Sequence, residues 1–237
     1  MKIWIPNAVT LMGAAAALLS MLWAPTHVYW ACNALIAASL FDMVDGRIAR
    51  ALGAQSAIGQ QLDSLVDLVA FGVAPAYLLF AVSFHKMPEL ANVPLGLLPM
   101  FAFVASSAVR LAIFNSRPSD DARNFQGIPT PVSALLIVTA IMTAHELSYE
   151  LFTQTWFLCS LSLASSMLMI LPIPFPSFKS FRTRFGMLLY FGTMSGGLTM
   201  LFVGLPGGTL LFGFVSFYVL RGLTEAGWRR VVKHRFR

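Results

Sequence analysis

Apolar stretches of about 20 residues recur along the whole chain, and a helix of that length crosses about 30 Å of hydrocarbon. Proline, glycine and polar residues separate the stretches. The runs are too long for strands and lack the alternation of a membrane barrel. We therefore predict an all-α, polytopic membrane helix bundle of about eight transmembrane helices. The predicted spans are residues 8–24, 28–50, 60–84, 94–115, 129–147, 152–171, 185–204 and 207–222.

Composition supports a membrane location. Of 237 residues, 57% are hydrophobic and only 11% are Asp, Glu, Lys or Arg, whereas a soluble domain has about a quarter. This excludes a soluble enzyme, a disordered segment and a nucleic-acid binder, despite the net charge of +6. Cys32 and Cys159 lie in apolar stretches and are expected to be buried thiols.

The basic residues predict the orientation of the bundle. An even number of spans places both termini on one side, and that side then receives all 16 lysines and arginines except Lys86. Positive charge favours the cytoplasmic face. We therefore expect a multi-pass protein of the cell (inner) membrane with cytoplasmic termini. Residues 223–237 form a basic tail that is expected to rest on anionic lipid headgroups.

Four of the ten acidic residues fall within predicted spans: Asp42 and Asp45 late in the second, Asp63 and Asp67 early in the third. Each charge deep in a bilayer costs about 2.5–3.5 kcal/mol on insertion scales. The spacings i, i+3 and i, i+4 put each pair on one helix face. Because a short loop joins the two helices, they are expected to be antiparallel neighbours with the two pairs facing each other.

Four carboxylates at one point repel one another unless cations lie among them. Oxygen ligands favour hard ions such as Mg²⁺, Mn²⁺ or Ca²⁺, and two such ions would neutralise four carboxylates in an arrangement that can clamp a pyrophosphate. Buried ion pairs with Arg47 and Arg50 are an alternative, although two arginines cannot neutralise four acids. A divalent-cation or proton transporter is another, but its polar residues should continue across the membrane, and these acids stop near one side.

Small residues accompany the acids. Gly46 follows Asp45 directly, Ala49 lies near it, and Gly59 precedes Asp63 by one turn. Glycine is unfavourable in a helix by about 1 kcal/mol, and close approach of a ligand is one reason for it. Helix packing in the membrane is another. Arg50, one turn from Gly46, could bind a phosphate through its guanidinium group.

The acidic pattern resembles the signature of the CDP-alcohol phosphatidyltransferase family at every position. It consists of Asp42, two residues, Asp45, Gly46, two residues, Ala49, Arg50, eight residues, Gly59, three residues, Asp63, three residues and Asp67. The resemblance implies a six-helix catalytic core, two divalent metal ions held by the four aspartates, a site open to the cytoplasm, and a homodimer. It also implies three parts: a core at 1–185, two additional helices at 186–222, and the tail at 223–237.

Other segments resemble the phosphatidylserine synthases of this family. They are residues 110–115, 124–131 and 176–179, and Ile113 and Phe175 depart from the usual residues. The resemblance implies that CDP-diacylglycerol and L-serine react to phosphatidylserine and CMP. It makes Asp67 the expected general base, and Gly46, Ala49, Arg50 and Gly59 the expected CDP-binding residues.

L-serine needs a cation for its carboxylate and acceptors for its ammonium group. The candidates on the cytoplasmic side are Arg110, Asn115, Gln126, Lys179, Arg182 and Arg184. The basic cluster at 179–184 is equally typical of a membrane anchor. Another acceptor alcohol, such as glycerol 3-phosphate, inositol phosphate or choline, remains an alternative. Acceptors that carry phosphate should need several basic residues near the metals.

Overall fold

The computed structural model describes residues 4–90, 92–116, 127–173 and 206–235, with side chains of the last helix described as far as Glu225. Helices make up nearly all of it. They are α1 (Trp4–Trp23), α2 (Val28–Ala51), α3 (Ala57–Asp67), α4 (Ala74–Val82), α5 (Leu97–Asn115), α6 (Thr130–Leu147), α7 (Thr155–Ile170) and α8 (Gly207–Arg235). A π-helical turn, Leu68–Val73, joins α3 directly to α4.

The strands found in the described residues are two very short ones in the loop after α4. Strand β1 (Glu89–Leu90) pairs with β2 (Val93–Pro94) in antiparallel register, Glu89 opposite Pro94 and Leu90 opposite Val93. Short 3₁₀ turns, Phe84–Lys86 and Glu150–Thr153, lie in the loops after α4 and α6. The predicted all-α class is therefore confirmed.

Among the described residues, five segments are long and apolar enough to cross a membrane: residues 4–23, 57–82, 97–115, 130–147 and 207–225. Helix α7 is apolar but shorter, and Asp42 and Asp45 lower the mean hydropathy of α2. These helices begin and end within a few residues of the predicted spans, except that α8 continues past 222 to Arg235. The predicted span 185–204 lies outside the described residues, so the count of eight stays a prediction.

Hydrogen bonds between helix ends show which ends of the spans lie on the same side of the bundle. At one side of the bundle, Ser83 after α4 donates to Oγ1 of Thr155 at the start of α7, with the oxygens 2.8 Å apart. At the other side, Asn115 at the end of α5 bonds to Ser64 near the start of α3. The loop between α2 and α3 therefore lies on the side of the α5 C-terminus.

The bundle packs around α6, and 72% of the 18 residues of this helix are buried. Fully buried Phe71, Phe103, Ile137 and Leu158 come from four different segments and belong to one core cluster. Ser56 is the N-cap of α3, because its hydroxyl accepts a hydrogen bond from the Gly59 amide at 3.0 Å. This cap fixes where α3 begins, six residues before Asp63.

The turn before α6 packs against the C-terminal end of α7 and hydrogen-bonds to backbone carbonyls there. Gly127 has φ +80°, and a Cβ there would collide with the Met169 carbonyl, so this position requires glycine. Its amide donates to the Ile173 carbonyl at 2.8 Å, and the Ile128 amide donates to the Leu168 carbonyl at 2.9 Å. Backbone groups at this helix junction are thereby satisfied without water.

Glu146 caps the last helix from the opposite side of the bundle. Its carboxylate accepts hydrogen bonds from the Gly208 amide, the Thr209 amide and the Thr209 hydroxyl, each at 2.8 Å.

We expect Glu146→Gln to lower the free energy of unfolding by about 1–2 kcal/mol, because the glutamine amide removes the charge and one acceptor. Thermal unfolding in detergent measures this. Glu150→Gln, an exposed acid of the adjoining turn, is the control, and an equal Tm for the two variants would contradict the cap.

Candidate functional site

Three aspartates from α2 and α3 form a carboxylate cluster. One carboxylate oxygen from each of Asp42, Asp63 and Asp67 lies within 4.8 Å of the other two, and all three side chains are half-buried. Two negative charges at such a distance repel by about 3 kcal/mol at an effective dielectric constant of 20. The facing arrangement expected from the two spacings is therefore present, and the cluster is suited to a cation.

Asp45 lies beside this cluster and is more deeply buried. It is 4% exposed, and its Oδ2 has no hydrogen-bond partner among the described residues. Asp45 lines one narrow cleft together with Asp42, Asp63 and Asp67. A buried carboxylate oxygen without a partner is costly. The orphaned oxygen and the all-carboxylate donor set fit a hard divalent cation.

Arginine does not neutralise the aspartates in the part of the chain that is described. Within residues 4–90, 92–116, 127–173 and 206–225, no lysine or arginine forms an ion pair with any of the four; the ion pair found there joins Arg221 to Glu225 on α8. Arg47 and Arg50 are exposed. The buried ion pairs with these two arginines, which were the alternative to a metal site, are therefore absent.

A cavity of about 610 Å³ leads to the cluster from the side of the α2–α3 loop. Asp45 and Asp63 line both this cavity and the narrow cleft, so the two spaces are adjacent. Helices α1, α2, α3 and the loop contribute its walls. The lining residues are Pro6, Asn7, Thr10, Asp45, Gly46, Ala49, Arg50, Ala54, Gln55, Ser56, Ala57, Gly59, Gln60 and Asp63.

The two helical glycines in the wall have different neighbours. A Cβ on Gly46 would lie 3.5 Å from Nη1 of Arg50, so the guanidinium group of Arg50 covers this glycine. A Cβ on Gly59 would lie 3.0 Å from Oδ1 of Asn7 and 3.1 Å from Oγ of Ser56. Gly59 thus allows α1 to approach α3 closely, and helix packing accounts for part of the small-residue pattern.

Comparison with known families matches residues 3–171 to the model of the CDP-alcohol phosphatidyltransferases. That match covers most of the chain and includes the whole site. The chain belongs to the CDP-alcohol phosphatidyltransferase family. The eight positions of the acidic pattern, spread over α2 and α3, all line either the cavity or the cleft.

The names of similar proteins agree with this family. The chain is 36% identical over 177 residues to the CDP-diacylglycerol–serine O-phosphatidyltransferase of Mycobacterium leprae, a match that covers 72% of this chain and 57% of the relative. It is 32% identical over 177 residues to the protein of that name from Helicobacter pylori, covering 73% and 72%. The Bacillus subtilis protein of that name is 34% identical over 138 residues, covering 58% and 70%. The chain thus spans little more than half the length of the mycobacterial relative.

Two of the predicted serine-binding residues of this family member lie in the described region. Arg110 is 7% exposed, and its Nε donates to the Ile128 carbonyl at 3.3 Å. Asn115 is exposed, and its side-chain amide nitrogen Nδ2 donates to Oγ of Ser64 at 2.9 Å. Gln126, Lys179, Arg182 and Arg184 lie outside the described residues. Serine binding by these side chains stays a prediction.

The contribution of α1 to the cavity was not assigned by sequence reasoning. Asn7 and Thr10 are 7% and 6% exposed, and they line the cavity beside Asp45. Thr10 also donates to the Pro6 carbonyl at 3.1 Å. Their i, i+3 spacing in an otherwise apolar helix was the available signal, because polar residues in a membrane helix usually face the protein interior.

Proposed function

We propose that this protein is an integral membrane phosphatidyltransferase that makes phosphatidylserine and CMP from CDP-diacylglycerol and L-serine. The observation that carries the proposal is the cluster of carboxylates from α2 and α3 at the end of a cavity, where no described lysine or arginine forms an ion pair with them. The names of the relatives support the choice of substrates. We further propose an inner-membrane location with the termini and the site on the cytoplasmic side.

Asp42, Asp45, Asp63 and Asp67 would hold two divalent ions, Mg²⁺ or Mn²⁺. When bound, such ions neutralise the carboxylates and polarise phosphoryl oxygens, which stabilises charge on the leaving phosphate. The cluster fits this role because three carboxylate oxygens lie within 4.8 Å of one another and the Asp45 Oδ2 lacks a hydrogen-bond partner in the described structure.

The cavity beside the cluster suits the CDP group. Its volume of about 610 Å³ falls in the usual range of ligand pockets, about 300–1,000 Å³. Gly46, Ala49 and Gly59 line its wall with small residues, and the exposed guanidinium group of Arg50 supplies positive charge for a phosphate. The diacylglycerol part would remain in the surrounding lipid.

The position of Asp67 supports its role as general base. Asp67, like Asp42, lines the narrow cleft but not the cavity, so these two acids lie on the side of the cluster away from the proposed CMP site. Attack in line with the leaving group requires the hydroxyl on that opposite side. The Asp67 carboxylate would accept the proton of the L-serine hydroxyl as its oxygen bonds to the phosphorus that carries diacylglycerol. The bond from this phosphorus to CMP breaks in the same step.

The names of the relatives favour L-serine over acceptors that carry phosphate. Arg50 is the one lysine or arginine that lines the described part of the cavity, and it is proposed to bind CDP. Arg110, Asn115, Gln126, Lys179 and Arg182 remain the proposed residues for L-serine. The proposed homodimer stays a prediction from the family resemblance.

The proposal is tested with purified protein in mixed micelles of CDP-diacylglycerol and Mn²⁺, supplied in turn with several alcohols. We expect L-serine to support CMP release at least about tenfold faster than glycerol 3-phosphate, inositol phosphate or choline, because a polar site discriminates strongly among polar groups. Mass spectrometry should detect phosphatidylserine as the lipid product.

Faster CMP release with another alcohol would mean that this alcohol, and not L-serine, is the acceptor, while the phosphatidyl transfer itself would stand. No CMP release with any alcohol, together with uptake of Mn²⁺ into sealed vesicles that contain the protein, would favour the transporter alternative. The matched control for both assays is Asp42→Asn, which removes one carboxylate of the cluster with little change in size.

A further inference from the structure

The helix that carries Asp63 and Asp67 changes its geometry directly after Asp67. Residues Leu68–Val73 form a π-helical turn, and the Ala74 amide donates to the Val69 carbonyl, five residues earlier. Pro75 follows at the start of α4. Proline lacks an amide hydrogen and would clash with the Phe71 carbonyl in a regular α-helix, so the wider turn relieves that clash. Short π segments often occur at functional sites.

Gly72 of this turn lies against α5. A Cβ on Gly72 would be 3.1 Å from Cβ of Ser107 and 3.5 Å from its Oγ. Ser107 is 0% exposed, and its hydroxyl donates to the Phe103 carbonyl of its own helix at 2.9 Å. The two helices thus meet through a close approach that glycine permits and that a methyl group would push apart.

A second contact joins the same two helices at the other end of the aspartate pair. Asn115, two turns after Ser107 on α5, donates to Oγ of Ser64 at 2.9 Å. Ser64 is adjacent to Asp63, and Gly72 follows Asp67 by five residues. The segment that carries both aspartates is therefore attached to α5 near each of its ends.

We propose that Gly72 is a positioning residue, which sets the distance of Asp63 and Asp67 from Asp42 through its approach to Ser107 on α5, with the Asn115–Ser64 hydrogen bond as the second attachment. The inference rests on the proposed metal site. Asp42 belongs to α2, whereas Gly72 lies against Ser107 of α5, so this contact limits how closely the end of the segment approaches α5. A shift of a few tenths of an ångström at Gly72 would therefore change the spacing of the three carboxylate oxygens.

The test measures Mn²⁺ binding to the purified protein by electron paramagnetic resonance, without any substrate. We expect Gly72→Ala to weaken Mn²⁺ binding and CMP release about tenfold each, as small displacements of reacting groups do. Adding Ser107→Gly to this variant removes both α5 atoms that the new methyl group meets and leaves Cδ1 of Leu68, the end of a flexible side chain, at 3.2 Å. The double variant should therefore restore both properties. Gly213→Ala is the control, because a Cβ on Gly213 would meet no atom within 4 Å.

Unchanged Mn²⁺ binding in Gly72→Ala, or no recovery in Gly72→Ala/Ser107→Gly, would overturn the inference. If Gly72→Ala does not fold, Asn115→Ala gives the test instead, because the exposed side chain of Asn115 can be removed without crowding its neighbours. Mn²⁺ binding to Asn115→Ala should weaken severalfold. Binding equal to that of the unmodified protein would overturn the inference. Failure of the unmodified protein to bind Mn²⁺ would reject the metal site itself.

Discussion

Replacing Asp67 with asparagine should lower the rate of CMP release by about 10³-fold, the middle of the range for loss of a general acid–base group. Asparagine has nearly the same size but cannot accept the serine proton. Asp67 and Asp42 both line the narrow cleft and lie outside the cavity proposed for CMP, and the family resemblance makes Asp67 the expected base.

The measurement is the steady-state rate of CMP release at saturating CDP-diacylglycerol, L-serine and Mn²⁺. Saturating Mn²⁺ separates loss of the base from weaker metal binding. Glu89→Gln, in the exposed hairpin after α4, is the matched control and should keep full activity. A rate for Asp67→Asn within a factor of two of the unmodified protein would reject Asp67 as the base.

Asp63→Asn should abolish activity and yet raise the thermal stability of the metal-free protein. Without cations the carboxylates of Asp42, Asp63 and Asp67 repel one another, because their oxygens lie within 4.8 Å and no described lysine or arginine pairs with them. Removing one charge from such a group relieves about 3 kcal/mol of repulsion at an effective dielectric constant of 20, before any relaxation. The midpoint of thermal unfolding in excess chelator should rise.

Mn²⁺ should then reverse the order of stabilities. A ligand that binds only the folded state stabilises it in proportion to the logarithm of its concentration over Kd. The unmodified protein should therefore gain more in Tm from Mn²⁺ than Asp63→Asn does. A lower Tm for Asp63→Asn in chelator would indicate that the carboxylate has a cationic partner, because breaking a buried ion pair destabilises a protein.

The helices could be predicted from sequence because the bilayer imposes a local rule. A run of apolar residues of sufficient length becomes a helix whatever lies beside it, so α5 and α6 begin and end within three residues of the predicted spans 94–115 and 129–147. The last helix does not stop at 222, because the basic residues beyond it form further helical turns, up to Arg235. Hydropathy marks the membrane boundary and not the helix end.

The carboxylate cluster was predictable for a similar reason. Side chains three or four residues apart share a helix face, and a short loop makes α2 and α3 antiparallel neighbours. Those two facts bring Asp42 to Asp63 and Asp67. Burial of Asp45 next to Thr10 of α1 could not be derived this way, because it depends on how a third helix packs against α2.

Interactions between helices distant in sequence were not predictable. The sequence suggested Arg110 and Asn115 as ligands for serine, whereas the structure shows hydrogen bonds from Arg110 to the Ile128 carbonyl and from Asn115 to Ser64. Pro75 marks a disturbance of the third span, but a kink and a π turn are both compatible with proline. The close approach of Ser107 to Gly72 is visible only in the packed bundle.

Metal dependence of CMP release tests the central claim most directly. Purified protein, treated with excess EDTA and then supplied with CDP-diacylglycerol and L-serine, should release no CMP above the protein-free rate. Addition of Mn²⁺ or Mg²⁺ beyond the EDTA concentration should restore release and produce phosphatidylserine, and Asp42→Asn should not respond. CMP release that continues unchanged in EDTA would contradict the assignment of the four aspartates as a metal-binding site for phosphatidyl transfer.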